Sequence, residues 1–261
     1  MKKAMVAVLV GVLLMSGLSA GCVGDRVPGS GNLNTQEFEF SDFTRVEVGS
    51  AFQVEIVQAD SYRVSVTADD NLFEYIQVSK QGETLKIGLR LLPLRPLFTT
   101  LRAEITMPQI YDLDISGATK GTVSGFSSTE NLDIELSGAS SLNLVEMSAG
   151  DVEFELSGAS KARGEITAGG DARIDLSGAS SVQLQGSASD LVIDASGASR
   201  AALDNFPVAN ADVELSGASG ATVNLDGRLD AGLSGASRLS YIGEPNMGDI
   251  NTSSGSSVSK K

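Results

Sequence analysis

The chain has 261 residues, 41 % of them hydrophobic, and its 33 acidic residues outnumber 19 basic ones for a formal net charge of −14. An acidic surface of this kind repels nucleic acid and anionic lipid headgroups, and a single cysteine excludes an internal disulfide and any multi-cysteine metal site. The chain also has no histidine, so a serine nucleophile would lack its usual base.

Residues 1–21 are predicted to form an export signal. Lys2 and Lys3 supply the positive end, and an apolar run from Ala4 to Met15 follows, too short to span a bilayer as a mature helix. The junction Ala20-Gly21-Cys22 resembles a lipobox, in which cleavage precedes a cysteine that then carries lipid. We therefore predict that Cys22 is lipidated and holds the protein at the outer membrane or cell surface. The alternative is an ordinary secretory signal.

The next two segments are predicted to be a tether over residues 22–33 and an N-terminal β region over 34–110 that caps the rest. Residues alternate between apolar and polar in 46–48 and 52–56, as in half-buried strands. The stretch from Leu91 to Phe98 is apolar but contains two prolines, which favours a loop over a central strand. If exposed, this loop would suggest contact with a partner or a membrane.

A four-residue phrase, Ser-Gly-Ala-Ser or a close variant, returns along the rest of the chain in steps of about 20 residues. Its turn glycines are Gly117, Gly138, Gly158, Gly178, Gly197, Gly217 and Gly235. We align a last, decayed copy at Ser254-Gly255-Ser256-Ser257. Each glycine is expected to allow a sharp turn between strands, with the serine hydroxyls hydrogen-bonding along the stack.

Apolar residues recur two, four and six positions before each turn glycine, and again four and six positions after it. A period of two on both sides of a turn predicts two strands per coil, each with one face inward. We therefore predict an all-β fold: a right-handed parallel β-helix, or solenoid, over residues 111–250, with coils of about 20 residues and a looser third side. The polar tail over 251–261 is expected to fray or to cap the open end with charge.

Two charged columns emerge from the same alignment. Acids stand three positions before the glycines, at Asp114, Glu135, Glu155, Asp175, Asp194 and Glu214. Bases alternate with small neutral residues three positions after them, at Lys120, Ser141, Lys161, Ser181, Arg200, Gly220 and Arg238. Both columns fit a solvated surface that keeps the protein soluble. The more specific hypotheses are a column of divalent ions such as Ca²⁺ on the acids and a glycan- or protein-binding face on the other side.

The repeated turns, the strand-rich lead-in and Ile105-Thr106-Met107-Pro108 resemble the "putative auto-transporter adhesin" head family, also called the head GIN domain family, over roughly residues 43–238. The resemblance implies an exported β-helix at the cell surface and carries no catalytic motif. We predict a lipid-anchored, non-enzymatic adhesion or binding module, with a surface glycan or protein as ligand and no nucleic acid partner. The alternatives are a structural or envelope-stress protein and, more weakly, a polysaccharide-processing enzyme.

Overall fold

The computed structural model describes residues 26–90, 95–97, 99–253 and 255–261. The predicted signal over 1–21, Cys22 and most of the stretch from Leu91 to Phe98 lie outside the described residues. The regular secondary structure of the described chain consists of strands, apart from one short 3₁₀ turn at Asp70–Leu72. Its parallel coils of about 20 residues stack into a β-solenoid of about seven turns, so the predicted all-β parallel β-helix is confirmed.

The strands that precede the repeats close one end of the solenoid. They are β1 (Arg26–Pro28), β2 (Leu33–Phe38), β3 (Arg45–Val48), β4 (Gln53–Gln58), β5 (Arg63–Asp69), β6 (Ile76–Gln81), β7 (Thr84–Leu89), β8 (Arg95–Leu97) and β9 (Leu101–Met107). β3 and β4 form a coil parallel to the first repeat, and β7 and β9 form the coil beyond it. The antiparallel strands β6, β5 and β2 then complete the two sheets.

Two N-terminal segments differ from expectation. Residues 26–33 are not a free tether, because β1 pairs with β8 and the N–H of Gly31 donates to Asp69 Oδ1 at 2.8 Å. The pairing of β8 also shows that part of the predicted loop is a strand.

The repeats supply strands alternately to two long parallel sheets. They are β10 (Asp112–Ile115), β11 (Lys120–Ser124), β12 (Leu132–Leu136), β13 (Ser141–Ala149), β14 (Val152–Leu156), β15 (Lys161–Ala168), β16 (Ala172–Leu176), β17 (Ser181–Ser187), β18 (Asp190–Ala195), β19 (Arg200–Val208), β20 (Asn210–Leu215), β21 (Gly220–Leu225), β22 (Arg228–Leu233), β23 (Arg238–Ile242), β24 (Asn246–Thr252) and β25 (Ser257–Lys260). Even-numbered strands from β10 onward join sheet 1, and odd-numbered strands from β11 onward join sheet 2. Each of these strands before β24 therefore lies between its counterparts in the coils before and after it.

The core lies between the two sheets and a short third side. The apolar positions before each turn glycine are buried, as in Leu136, Leu156 and Leu176. The third side continues the strands of sheet 2 beyond a shift in register, which lies between Leu144 and Met147 where β13 pairs with β15. Large side chains fill the core on this side, at Phe126, Met147, Ile166, Phe206 and Leu225.

The turns stack directly on one another. Gly158 has a φ of +71°, and a Cβ added to it would lie 2.5 Å from the carbonyl oxygen of Gly138 in the coil before. The N–H of the following alanine, Ala159, donates to the same oxygen at 2.7 Å. The serine after each alanine is buried, and its hydroxyl donates to backbone carbonyls. Ser160 Oγ, for example, donates to the carbonyl oxygen of Leu136 in the coil before at 3.2 Å and to that of Ser157 in its own turn at 2.8 Å.

The last coil is shifted by one residue from our alignment. The N–H of Gly255 donates to the carbonyl of Gly235 at 2.8 Å, which is the bond that the alanine makes in the preceding turns. Gly255 therefore holds the alanine position, and the predicted register at Ser254-Gly255-Ser256-Ser257 is wrong. The corrected register places Ile250 opposite the buried Ala231. Residues 251 and 252 complete β24, and β25 follows at Ser257–Lys260. The tail that we expected to fray or to cap the open end therefore forms the final coil.

Candidate functional site

The first candidate surface is the outward side of sheet 1, where the six predicted carboxylates stand in one column. The strands pair in register so that each acid lies beside the next, in the order Asp114, Glu135, Glu155, Asp175, Asp194, Glu214. Neighbouring strands lie about 4.8 Å apart, so these negative charges are close. Glu47 on β3 extends the column by one residue. The sequence did not reveal this residue, because the turn of its coil reads Gly49-Ser50-Ala51.

A second acidic column runs beside the first, five positions before each turn glycine. Its members are Asp112, Asp133, Glu153, Asp212 and Asp230, with Arg173 and Val192 between Glu153 and Asp212. The same alignment could have shown this column, but the two interruptions hide it. We call the two columns together the acidic face.

Basic residues neutralise the acidic face in only a few places. At the N-terminal end Lys86 pairs with Glu47, and Arg45 lies 3.6 Å from Asp112. At the other end Arg228 pairs with Asp230. In the middle, Arg173 bonds to Asp175 through Nε at 3.0 Å and Nη2 at 2.9 Å, and its Nε lies 3.5 Å from Glu153. Exposed ion pairs of this kind add little stability individually, and Asp114, Glu135, Asp133, Asp194, Glu214, Asp212 and Glu155 have no basic partner among the described residues.

One carboxyl of the acidic face has a strongly shifted pKa. Burial, followed by the negative charges of Glu135, Glu47 and Asp112, raises the pKa of Asp114 to about 6. Burial also raises the pKa of Asp112, against the opposing charge of Arg45. Asp114 therefore takes up a proton as the pH falls through about 6.

Three carboxylates of the acidic face are close enough to share a cation. One oxygen each from Glu153, Glu155 and Asp175 lie within 4.8 Å of one another. Calcium takes six to eight oxygen ligands, so these groups supply part of a shell, and Arg173 would have to leave Asp175. Calcium binding at the column predicted from the sequence remains a prediction.

The second candidate surface is the outward side of sheet 2, where the predicted basic column is continuous. In-register pairing aligns Lys120, Ser141, Lys161, Ser181, Arg200, Gly220 and Arg238 on consecutive strands. Gln53 and Arg102 continue the alternation toward the N-terminal cap. The side chains of Lys120, Lys161, Arg200 and Arg238 are all exposed.

A ladder of Asn and Asp side chains joins the coils at the corner before sheet 1. Each Oδ1 accepts a hydrogen bond from the backbone N–H of the equivalent residue in the next coil. Asn131 accepts from Asp151 at 3.0 Å, Asp151 from Asp171 at 2.9 Å, and Asp171 from Asp190 at 3.1 Å. Asp190 and Asn210 continue the series. The ladder lies seven positions before each turn glycine, and the sequence reading missed it. These hydrogen bonds hold neighbouring coils together.

A shallow hollow of about 870 Å³ lies beside the start of this ladder. Its walls come from Ser127 to Asn131, from Ser148 to Asp151 and from the turn at Thr167 to Gly170.

In the part of the chain that the structure describes, no helix is long and apolar enough to cross a bilayer.

The chain belongs to the family described as "Putative auto-transporter adhesin, head GIN domain", whose model matches residues 42–245. No functionally curated protein matches the sequence significantly.

Several crystal structures share the fold. A putative adhesin from Parabacteroides merdae ATCC 43184 is 17 % identical with a TM-score of 0.81, over 91 % of this chain and 99 % of that one. A putative adhesin from Parabacteroides distasonis ATCC 8503 is 20 % identical with a TM-score of 0.81, over 91 % and 100 % of the two chains. A putative lipid binding protein from the same organism is 18 % identical with a TM-score of 0.76, over 91 % and 100 %.

Proposed function

We propose that this member of the head GIN domain family is a non-enzymatic binding module, exported and held at the cell surface by lipid on Cys22. Its ligand is a glycan or a protein outside the cell. The observation that carries the proposal is the pair of long outward faces along which similar chemistry recurs, acids on most strands of sheet 1 and bases on every second strand of sheet 2. A repeating surface suits recognition of an extended partner, whereas catalysis needs a few singular groups held in a cleft.

The serines of the repeats support a non-enzymatic role. Nucleophilic serine needs an adjacent base, and the buried hydroxyl of Ser160 instead donates to backbone carbonyls. Ser140 and Ser219 make the same two bonds in their own turns. Their role in the proposal is to stabilise the stack of turns.

The family description and the neighbouring structures are consistent with a surface protein. The family description reads "Putative auto-transporter adhesin, head GIN domain", and two of the structures that share the fold are described as putative adhesins. A third is described as a lipid binding protein, which again indicates a binder. The lipid anchor rests on the sequence at Ala20-Gly21-Cys22 alone.

A polysaccharide-processing enzyme is the second candidate, favoured by one observation. Asp114, with its pKa raised to about 6, stands beside the carboxylate of Glu135. Pairs of carboxyl groups with separated pKa values perform acid–base chemistry in glycoside hydrolases. A structural or envelope-stress role is the remaining alternative, since uniform faces also suit a spacer.

A binding array separates these candidates. The purified full-length protein, kept in a neutral detergent, is applied to immobilised glycans, matrix proteins and whole cells. A binding module retains at least one class of ligand, and a bound polysaccharide is recovered with its chain length unchanged. Shortened polysaccharide that no longer forms with Asp114→Asn would favour the enzyme. Absence of binding to every class would favour the structural role.

A further inference from the structure

The outward side of sheet 2 differs sharply in charge from the rest of the molecule. One row runs through Lys120, Ser141, Lys161, Ser181, Arg200, Gly220, Arg238 and Ser257. The row beside it runs through Thr122, Asn143, Arg163, Gln183, Ala202, Thr222, Ser240 and Ser259. No acid occurs in either row, although acids far outnumber bases in the chain. We call these two rows the cation face.

The positive charges of the cation face are not used within the molecule. Among the residues that the structure describes, none of its five basic side chains forms a salt bridge. All five are exposed, including Arg163 in the second row. Acids border the face: the second row continues into Glu55 and Glu104 on the cap strands. Along one side the acids are Glu146, Glu165 and Asp204, and Asp204 is already paired with Lys261. The charges are therefore available to an external partner.

The spacing of the first row selects the kind of partner. Its basic residues occupy every second strand, so their charges repeat at about 10 Å along the solenoid. Nucleic acid carries a phosphate about every 3.4 Å along each strand, which leaves most of its charges unpaired beside a protein of net charge −14. A polysaccharide with one acidic group in every second sugar is charged far more sparsely, and its charges can pair with the row one to one.

The neutral residues between the charges also suit a sugar polymer. Thr122, Asn143, Gln183 and Thr222 present hydroxyl and amide groups that both donate and accept hydrogen bonds. Sugar rings offer hydroxyl groups with the same dual capacity. The two rows contain no aromatic side chain, so binding would rest on charge and hydrogen bonds and would weaken as salt is added.

We propose that the cation face binds a linear anionic polysaccharide that lies along the solenoid axis and carries one carboxylate or sulfate per disaccharide. This inference rests on the proposed function and assigns its ligand class. A second copy of this chain, presenting its acidic face, fits less well. Acids there occur on almost every strand, and two chains of net charge −14 repel each other.

The test measures binding of the full-length protein to hyaluronan, which has one carboxylate per disaccharide. Lys161→Gln combined with Arg200→Gln removes two neighbouring charges of the row. Lys80→Gln combined with Arg90→Gln removes the same charge elsewhere and serves as the matched control. Exposed ion pairs are individually weak, so we expect the first variant to bind about three- to tenfold more weakly and the control to bind like the unmodified protein. Added salt should weaken binding by the unmodified protein.

Further probes make the outcome decisive. Dextran, an uncharged polysaccharide, tests whether binding requires charge on the ligand. Polyglutamate tests whether any linear polyanion binds. Equal binding of either one would overturn the proposal, as would hyaluronan binding that the Lys161 and Arg200 substitutions leave unchanged. Ser181→Lys fills one gap in the row and should improve binding of heparin, a more densely charged glycan, more than that of hyaluronan.

The array described for the proposed function separates the two failures. If another ligand binds there and hyaluronan does not, the binding module stands and this ligand class is wrong. If neither binds, both ideas fail. A change in sedimentation of the Lys161 and Arg200 variant without any loss of hyaluronan binding would assign the face to self-association and overturn the proposal.

Discussion

Substitution of Gly158 by alanine tests the stacking of the turns. The φ of +71° is left-handed, and a side chain there costs about 1–2 kcal/mol. The added Cβ would also lie 2.5 Å from the backbone oxygen of Gly138, which can move only if two hydrogen-bonded coils separate. Such overpacking costs about 1–3 kcal/mol. The two costs together are about 2–5 kcal/mol, so at about 2–4 °C per kcal/mol for a chain of this size the melting temperature should fall by roughly 4–20 °C.

Two other glycines provide matched controls for this substitution. Gly82 has a φ of +61° with no atom within 4 Å of an added Cβ, so Gly82→Ala isolates the backbone strain. Gly220 has no left-handed φ, and its nearest neighbour would be 3.6 Å away, so Gly220→Ala should be close to neutral. Thermal unfolding followed by circular dichroism should rank Gly158→Ala as the most destabilised, then Gly82→Ala, then Gly220→Ala. A Gly158 variant that melts with the Gly220 variant would refute the account of the turns.

Three further predictions concern the acidic face and the anchor. The folded protein holds the proton of Asp114 more tightly than the unfolded chain, with a pKa of about 6 against the usual 3.8. The stability that this proton contributes is therefore present below about pH 4 and is lost as the pH rises through 6. Asp114→Asn should thus raise the melting temperature at pH 7.5 and leave it unchanged at pH 4. An equal gain in melting temperature at both pH values would contradict the raised pKa of Asp114. Calcium at millimolar concentration should raise the melting temperature more than magnesium or sodium at equal ionic strength, by bridging carboxylates of the acidic face, and a response to ionic strength alone would exclude a specific site. Cys22→Ser should release the protein from membranes or leave its signal uncleaved, whereas a variant that stays with membranes at the mature mass would exclude lipid as the anchor.

The repeats could be predicted from the sequence because one turn recurs with the same local chemistry. The coil of β3 and β4 could not be recognised as a repeat from the sequence, because its turn reads Gly49-Ser50-Ala51. This turn reverses the order of serine and glycine and has positive φ angles at Ser50 and Ala51. The last copy was misaligned because Gly255 occupies the alanine position of its turn. The order of coils near the cap, in which β7 and β9 follow β3 and β4, depends on contacts between distant residues, and no periodicity encodes it.

Part of each candidate surface could also be predicted from the sequence. The six-member acidic column and the basic column follow directly from a fixed distance to the turn glycine. The neighbouring acidic column was hidden by Arg173 and Val192, and the shifted pKa of Asp114 depends on its burial. The absence of acids across two rows of sheet 2 became visible only when the strand register placed Arg163 and Gln183 beside the basic column.

Adhesion of living cells tests the central claim, that this chain is a binding module at the cell surface. Cells that lack the protein are compared with cells that carry the unmodified chain or Cys22→Ser, on surfaces coated with a ligand retained in the array. The account predicts that loss of the protein reduces cell retention, that the unmodified chain restores it, and that the Cys22 variant does not. Retention that is the same in all three strains on every coated surface would contradict a role in binding.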